Sequence, residues 1–202
     1  MKNRNFRPPD PLPENTEQTL ILVDYSNLLY RAWFVSREQP WVALCKFFDM
    51  LRVCVRKAKR PGVPFGVIFA GESHTQLERA KLFTAYKGGR AKPKNPEFIE
   101  YRKVLNRLID RLGWYLICVD GAEADDVIAS IVSDKCHRCY CKVKCENCDC
   151  ASKYHTDVVI FSGDKDLQQL LAWDRVLIYK APGLFVSKDD FEEEYGIPVT
   201  KY

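Results

Sequence analysis

Residues 158–179 read VVIFSGDKDLQQLLAWDRVLIY, and this stretch decides the predicted fold. Two short apolar runs, Val158–Phe161 and Val176–Tyr179, have the length of buried strands. A helix is predicted between them at Leu167–Ala172. A strand, a helix and a second strand in succession are typical of α/β proteins with a parallel sheet.

The same alternation continues through the rest of the chain. Further strands are predicted at Leu20–Val23, Val67–Phe69 and Tyr115–Val119. Further helices are predicted at Val42–Lys57, Phe98–Leu112 and Ala124–Val132, with Gly113 as the stop signal of the second of these. We therefore predict an α/β domain over residues 20–202, with a mostly parallel central sheet flanked by helices, behind a Pro-rich flexible tail at residues 1–19.

The composition is that of a globular domain. The chain has 202 residues, of which 47% are hydrophobic and 29% charged, enough for one domain with a sizeable core. No apolar run approaches the roughly 18–20 residues of a membrane span. The N-terminus lacks the apolar segment of a secretory signal. A membrane protein and a classically secreted protein are therefore not expected.

Basic residues are concentrated in two places. Eight of them lie between Arg79 and Lys103 against two acids, and five more lie in the stretch RVCVRKAKR at 52–60. A basic band next to clustered acids favours a polyanion held against bound cations. A solvated charged surface is the alternative that charge alone leaves open.

The nine cysteines fall into two groups. Cys45, Cys54 and Cys118 lie in apolar stretches and are interpreted as small core residues. The other six form C-x-x-C-x-C twice within residues 136–150, a pattern that favours a zinc-binding insertion. An iron–sulfur cluster and inert or disulfide-paired loop cysteines remain alternatives. The predicted zinc ligands are Cys136, Cys139, Cys141, Cys145, Cys148 and Cys150.

Acidic residues follow the predicted strands at the ends where α/β proteins bind ligands. Carboxylates gathered from four strand ends repel one another unless cations neutralise them, which favours Mg²⁺ or Mn²⁺. Taken singly, each acid is also explained as a helix cap or turn residue. The predicted metal ligands are Asp24, Glu72, Glu123, Asp125, Asp126, Asp164 and Asp166.

Several motifs together resemble those of a known family. They are LILVDYSNLLYRAWF at 20–34, LERAKLFTAYKGGRAKP at 77–93, GAEADDVIASI at 121–131, FSGDKDLQQLL at 161–171 and FEEEYGIP at 191–198. The sequence resembles the 5′ nuclease family of flap endonucleases and 5′–3′ exonucleases, which includes bacterial DNA polymerase I domains and bacteriophage enzymes. The resemblance implies a PIN-like, or resolvase-like, fold for residues 20–202, with the cysteine cluster as an insertion.

The resemblance also implies the chemistry of the site. Family members hold two divalent ions on acids that match those named above, and Glu72 stands where the family has aspartate. The implied reaction is metal-assisted hydrolysis of a phosphodiester bond by water. Catalytic roles are implied for Asp24, Lys87, Arg90, Asp126 and Asp164.

Residues 84–97 resemble the arch of the family, a mobile basic loop over the active site. There the counterpart of Tyr86 stacks on a nucleobase, that of Lys87 approaches the scissile phosphate, and that of Arg90 contacts a phosphate. Arg31 resembles another residue on the phosphate side. The residues expected to bind nucleic acid are Arg31, Arg79, Tyr86, Lys87, Arg90, Lys92 and Lys94.

The expected function is that of a metal-dependent 5′ nuclease of DNA replication or repair. Its expected substrate is DNA with a 5′ flap, a nick or a single-stranded end, in the cytoplasm of a bacterial or phage-infected cell. The family's helix-three-turn-helix region is absent from the sequence. Three explanations remain open: the sequence is a fragment, a separate chain supplies the region as a partner, or the protein works without it. A non-catalytic nucleic-acid-binding or scaffold module, and a PIN-type ribonuclease, are the alternatives.

Overall fold

A computed structural model describes residues 17–73, 75, 95–135, 156–180 and 183–202. Its centre is a six-stranded sheet with the strand order β3-β2-β1-β4-β5-β6. The first five strands are parallel, and β6 runs antiparallel to β5, which confirms the mostly parallel sheet. The strands are β1 (Gln18–Asp24), β2 (Phe65–Gly71), β3 (Tyr115–Cys118), β4 (Thr156–Phe161), β5 (Val176–Lys180) and β6 (Leu184–Val186).

Helices cover both faces of the sheet. The α-helices are α1 (Tyr25–Val35), α2 (Pro40–Ala58), α3 (Pro96–Arg111), α4 (Ala124–Lys135) and α5 (Lys188–Tyr195). Two 3₁₀ helices, Asp166–Ala172 and Val199–Lys201, complete the described elements. One core cluster joins the sheet to α1, α2 and α3, and a second joins its other face to α4, α5 and the first 3₁₀ helix.

The apolar central strands explain these three layers. Neighbouring residues of a strand point to opposite faces, so an unbroken apolar run suits a strand covered on both sides. In β1, Ile21 and Val23 pack with the first cluster and Leu22 with the second. In β4, Val159 packs with the first cluster and Val158 with the second.

The helix α3 ends as its sequence predicts. Gly113 adopts a left-handed φ of 72° and donates its N–H to Asp110 O at 3.1 Å. Trp114 N donates to Ile109 O at 3.1 Å, so both hydrogen bonds of a Schellman motif are present. Leu112, the last residue of the predicted helix, is the C-cap residue beyond its observed end and is 54% exposed.

Several details differ from the prediction. Leu167–Ala172 forms a 3₁₀ helix rather than an α-helix, and β6 and α5 are not predicted by the sequence patterns. β1 begins at Gln18, so the last two residues assigned to the tail are strand residues, where parallel pairing with β2 and β4 orders them. Residues 96–97 belong to α3 rather than to a loop, since Asn95 caps the helix. Cys45 is exposed and not a core residue, while Cys54 is buried.

Three predicted regions lie partly or wholly outside the described residues. They are the tail at 1–16, the arch at 84–94 and the cysteine cluster at 136–150. Among the helices that the structure describes, none is long and apolar enough to cross a membrane.

Candidate metal and nucleic-acid site

The predicted acids lie at one edge of the sheet. Asp24 is the last residue of β1, Glu72 follows β2 directly, and Asp164 lies three residues beyond β4. Glu123 precedes α4, in the connection from β3. Because these four strands are neighbours in the sheet and parallel, their carboxyl ends bring the acids to the same edge.

A cleft of about 470 Å³ opens at this edge. Five of the seven predicted metal ligands line it, together with Arg31, which confirms that distant motifs converge there. The lining residues are Asp24, Ser26, Asn27, Tyr30, Arg31, Glu72, Glu123, Ala124, Asp125, Gly163 and Asp164.

Asp24 lies deepest among the strand-end aspartates, with only 5% of its surface exposed. Its carboxylate accepts a hydrogen bond from Asn27 N at 3.0 Å, which caps α1, and another from the Ser162 hydroxyl at 2.9 Å. Burial raises the pKa of Asp24 above its usual range. The two hydrogen bonds lower this pKa, whereas the nearby charges of Asp164 and Glu72 raise it further.

The loop after β4 is held by a chain of hydrogen bonds. Asp164 N donates to the Ser162 hydroxyl oxygen at 3.0 Å, and Asp166 N donates to Asp164 Oδ1 at 3.0 Å. Gly163 N donates to Asn27 Oδ1 at 3.2 Å, which ties the loop to α1. Asp164 therefore lines the cleft and also has the turn-forming role that its motif left open.

The start of α4 shows the capping role of Asp126. Its Oδ2 accepts a hydrogen bond from Glu123 N at 3.0 Å, as the third residue of a helix does in a capping box. Asp126 and Asp166 line a second cleft of about 400 Å³ rather than the first. Asp125 lines both clefts, so the two adjoin at the first turn of α4.

The chemistry of the cleft fits a hard divalent cation. Its carboxylate, amide and hydroxyl groups are oxygen donors, which Mg²⁺ and Mn²⁺ prefer. Asp24 is buried beside other carboxylates, a charge arrangement that a cation relieves. As the side chains stand, no group of three or more His, Cys, Asp or Glu within the described ranges is close enough to hold an ion. Ligation of one ion by three of these acids therefore requires their carboxylates to come closer together.

Three contributors to the cleft are not singled out by the sequence patterns. Ser162 and Asn27 position the acids through the hydrogen bonds above. The sequence feature that could have identified them is their position close to Asp164 and Asp24 in the two motifs. Tyr30 lines the cleft, and its ring stacks on Phe98 with centroids 5.0 Å apart. Burial raises the pKa of the Tyr30 hydroxyl, and the charge of Glu72 adds to this rise.

The remaining predicted site residues cannot be compared with the cleft. Those that lie outside the described residues are Arg79, Tyr86, Lys87, Arg90, Lys92, Lys94, Cys136, Cys139, Cys141, Cys145, Cys148 and Cys150.

Comparison with known sequences gives the family. Residues 19–196 match the family described as "5′-3′ exonuclease, N-terminal resolvase-like domain". The chain is 30% identical over 189 residues to DNA polymerase I of Pseudomonas aeruginosa, covering 90% of this chain and 18% of the relative. It is 31% identical over 192 residues to DNA polymerase I of Helicobacter pylori strain 26695, covering 92% and 19%. The chain belongs to the 5′–3′ exonuclease N-terminal resolvase-like domain family.

Comparison with solved structures agrees on the fold. Bacteriophage T5 5′-exonuclease with zinc ions superposes with a TM-score of 0.65 at 19% identity, covering 90% of this chain and 63% of that one. T5 flap endonuclease in a complex with DNA and metal ions gives 0.63 at 19% identity, covering 89% and 61%. The chain thus spans about a fifth of the polymerase relatives and about three fifths of the T5 proteins.

Proposed function

We propose that this chain is the nuclease domain of a divalent-metal-dependent 5′ nuclease that hydrolyses DNA phosphodiester bonds in replication or repair. The observation that carries the proposal is the convergence of Asp24, Glu72, Glu123 and Asp164 from four adjacent strand ends in one cleft. Membership of the 5′–3′ exonuclease family supports the reaction class. The activity is 5′–3′ exonucleolytic or flap endonucleolytic.

The two adjoining clefts supply ligands for two Mg²⁺ or Mn²⁺ ions. Asp24, Glu72, Glu123 and Asp164 would hold one ion, and Asp126 and Asp166 would contribute to the other, with Asp125 between them. Ions bound there supply Lewis-acid activation of water and neutralise charge on the phosphoryl oxygens. The T5 relatives solved with divalent metal ions support metal dependence.

The protein's own groups orient the reactants around this centre. Ser162 fixes the carboxylate of Asp24 and the backbone of Asp164 at once, so that both acids keep one relative position. Arg31 provides a cation on the cleft wall for a substrate phosphate. Tyr30 offers an aromatic surface beside the acids on which a purine or a pyrimidine base can stack.

DNA is the proposed substrate, and the arch residues complete its binding site. In this proposal Tyr86 stacks on a base, Lys87 and Arg90 stabilise the reacting phosphate, and Arg79, Lys92 and Lys94 attract the backbone. A T5 relative in a complex with DNA supports the substrate class. The proposed substrates carry a 5′ flap, a nick or a single-stranded end.

The cysteine cluster is proposed to hold structural zinc. Two C-x-x-C-x-C units within fifteen residues supply enough thiolates for one or two tetrahedral sites. Reduced thiolates imply a reducing compartment, and with DNA as substrate we place the protein in a bacterial or phage-infected cytoplasm.

A cleavage assay tests the proposal. The full chain is incubated with 5′-flap, nicked and single-stranded DNA in Mg²⁺ or EDTA, with and without an added helix-three-turn-helix chain. We expect Mg²⁺-dependent release of 5′ fragments. Asp164→Asn should abolish cleavage while leaving DNA binding nearly intact, because the amide keeps the hydrogen bond from Asp166 but loses the ligand charge. Undiminished cleavage by this variant, or binding without cleavage by every form, would overturn the proposal, and the second result favours a scaffold module.

A further inference from the structure

A third cleft opens at the opposite edge of the sheet, where the parallel strands begin. Its volume is about 680 Å³, and its walls come from the end of α2, the starts of β1, β4 and β5, and the start of α5. We propose that the N-terminal segment, residues 1–16, docks in this amino-end cleft through its proline-rich part. The inference goes beyond the proposed function, because this cleft and the acidic one have no described lining residue in common.

The floor of the amino-end cleft is an apolar part of the sheet. Strand pairing sets Val159 beside Leu177, and both line the cleft. Leu177 is 36% exposed, although its strand β5 lies inside the sheet between β4 and β6. Trp173 and Phe185, both half-buried, add aromatic rings to the lining. Aromatic-lined grooves are the surfaces on which proline-rich segments dock.

Two residues that line the cleft have hydrogen-bond donors without an acceptor. Thr19 is only 2% exposed, and its hydroxyl has no partner among the described residues. Arg60 Nε is also buried without a partner there, although Nη2 of the same guanidinium meets Asp157 at 2.5 Å. Unsatisfied buried donors are costly, so an occupant of this cleft has to supply acceptors. A proline residue supplies a carbonyl acceptor and brings no N–H of its own.

The N-terminal segment has this composition and joins the fold beside the cleft. Residues 7–14 read RPPDPLPE, and such proline-rich runs favour the polyproline II conformation, which loses little entropy on binding. Glu17, the first described residue, meets Arg60 at 3.6 Å and Arg175 at 3.7 Å, and both arginines line the cleft. The proline run is therefore tethered to the rim by three residues. A tether this short gives an effective concentration in the millimolar range, so weak contacts suffice for docking.

The charges around the cleft complement those of the segment. Asp174 and Asp189 line the cleft, and neither forms an ion pair with a described residue. Arg7, directly before the prolines, supplies a cation for them. Lys188 also lines the cleft without such a pair, and as the first residue of α5 it opposes the helix dipole. Asp10, within the proline run, supplies the anion that offsets this charge.

Fluorine NMR of the full chain labelled with 5-fluorotryptophan tests the inference, because Trp173 lines the cleft. Spectra are recorded in EDTA without DNA, and Trp173→Phe identifies its signal among those of the four tryptophans. The test variant is Pro8→Ser/Pro11→Ser, since these two prolines lie on one side of a polyproline II helix with three residues per turn. The control is Asn3→Ser/Asn5→Ser, in the same segment but outside the proline run.

We expect the Trp173 signal to move in the test variant and to keep its wild-type position in the control. The signals of Trp33 and Trp114, which pack in the first core cluster, should not move in either variant. A peptide of residues 1–16 at millimolar concentration should return the Trp173 signal of the test variant to its wild-type position, because it matches the effective concentration of the tethered segment. The same peptide with both serine substitutions should have no effect.

The contrary outcomes are equally specific. The same Trp173 signal in the wild type and the test variant would overturn the inference, and so would an equal response to the two peptides. Joint movement of all four signals would overturn it as well, since the substitutions would then change the fold rather than empty the cleft. A wild-type signal that changes on dilution would assign the cleft to the segment of a second copy and contradict the tethered arrangement. Cleavage in Mg²⁺ is a separate readout, so failure of the proposed nuclease function leaves this test unaffected.

Discussion

The hydroxyl of Ser162 donates a hydrogen bond to Asp24 Oδ2 at 2.9 Å, across 138 residues of sequence. The same oxygen accepts the backbone N–H of Asp164 at 3.0 Å. One side chain thereby joins the ends of β1 and β4, which pair in the sheet. The two acids depend on this serine for their relative position.

Replacing Ser162 with alanine should reduce the proposed activity without unfolding the chain. Loss of a hydrogen bond to a ligand typically lowers metal affinity or activity about 10- to 100-fold. The buried Asp24 carboxylate also loses a partner, at about 1–3 kcal/mol of unfolding free energy. Cleavage rates against Mg²⁺ concentration and denaturant unfolding measure both effects.

Ser36→Ala is the matched control for this variant. Ser36 is also buried, but its hydroxyl donates to Trp33 O at 2.7 Å, a backbone carbonyl of α1 rather than an acid of the cleft. It should lose stability and keep its metal dependence. If both serine variants lose activity in proportion to their stability, Ser162 has no positioning role.

Glu72 should matter less to metal binding than Asp24. Its side chain is exposed at the cleft rim, and water replaces an exposed ligand more easily than a buried one. We expect Glu72→Gln to raise the Mg²⁺ concentration for half-maximal cleavage about 10-fold, equivalent to about 1.4 kcal/mol. Glu193→Gln, an exposed glutamate on α5, should change nothing. An unchanged Mg²⁺ requirement in the first variant would remove Glu72 from the ligand set.

The cysteine cluster makes a prediction that is independent of the cleft. Purified protein should contain zinc in a constant molar ratio, and replacement of the six clustered cysteines by serine should remove it. Elemental analysis measures both. Iron in place of zinc would make the cluster an iron–sulfur site, and the absence of any metal would leave the cysteines without a metal-binding role.

The fold was predictable because its signals are local. The apolar runs of β1 and β4 are buried on both faces. Such runs indicate central parallel strands without any information from the rest of the chain. The short β6 carries no such signal, and the pattern that predicts a helix at Leu167–Ala172 does not show that it is a 3₁₀ helix. Their conformations depend on pairing with β5 and on packing, which a periodic pattern does not record.

The site was predictable only in part. Acids at strand ends converge by topology alone, so the sequence suffices to place Asp24, Glu72 and Asp164 at one edge. It does not separate the cleft of Asp24 from the adjoining cleft of Asp126, because that division follows from the capping hydrogen bond to Glu123 N. The hydrogen bond of Ser162 to Asp24 is not predictable from the sequence either, because it joins residues far apart in the chain.

Asp24→Asn should stabilise the protein in the absence of metal. Burial raises the pKa of Asp24 in the folded chain, so the ionised form is less favourable there than in the unfolded chain. In the wild type, this destabilisation is absent below the unfolded-state pKa of Asp24. It grows as pH rises and is fully present above the folded-state pKa. Asparagine keeps the cap of α1 and removes the charge. The unfolding free energies of the two forms in EDTA should therefore converge as pH falls and separate at neutral pH.

Mg²⁺-induced stabilisation of the same pair tests the central claim most directly. The unfolding temperatures of the wild type and Asp24→Asn are measured at neutral pH while Mg²⁺ replaces EDTA. A ligand that binds only the folded state stabilises it by an amount that grows with the ligand concentration relative to its Kd. The account predicts that Mg²⁺ raises the unfolding temperature of the wild type, and that Asp24→Asn starts higher in EDTA and gains little. Equal gains for the two proteins, or none for the wild type, would contradict a metal site built on the strand-end carboxylates.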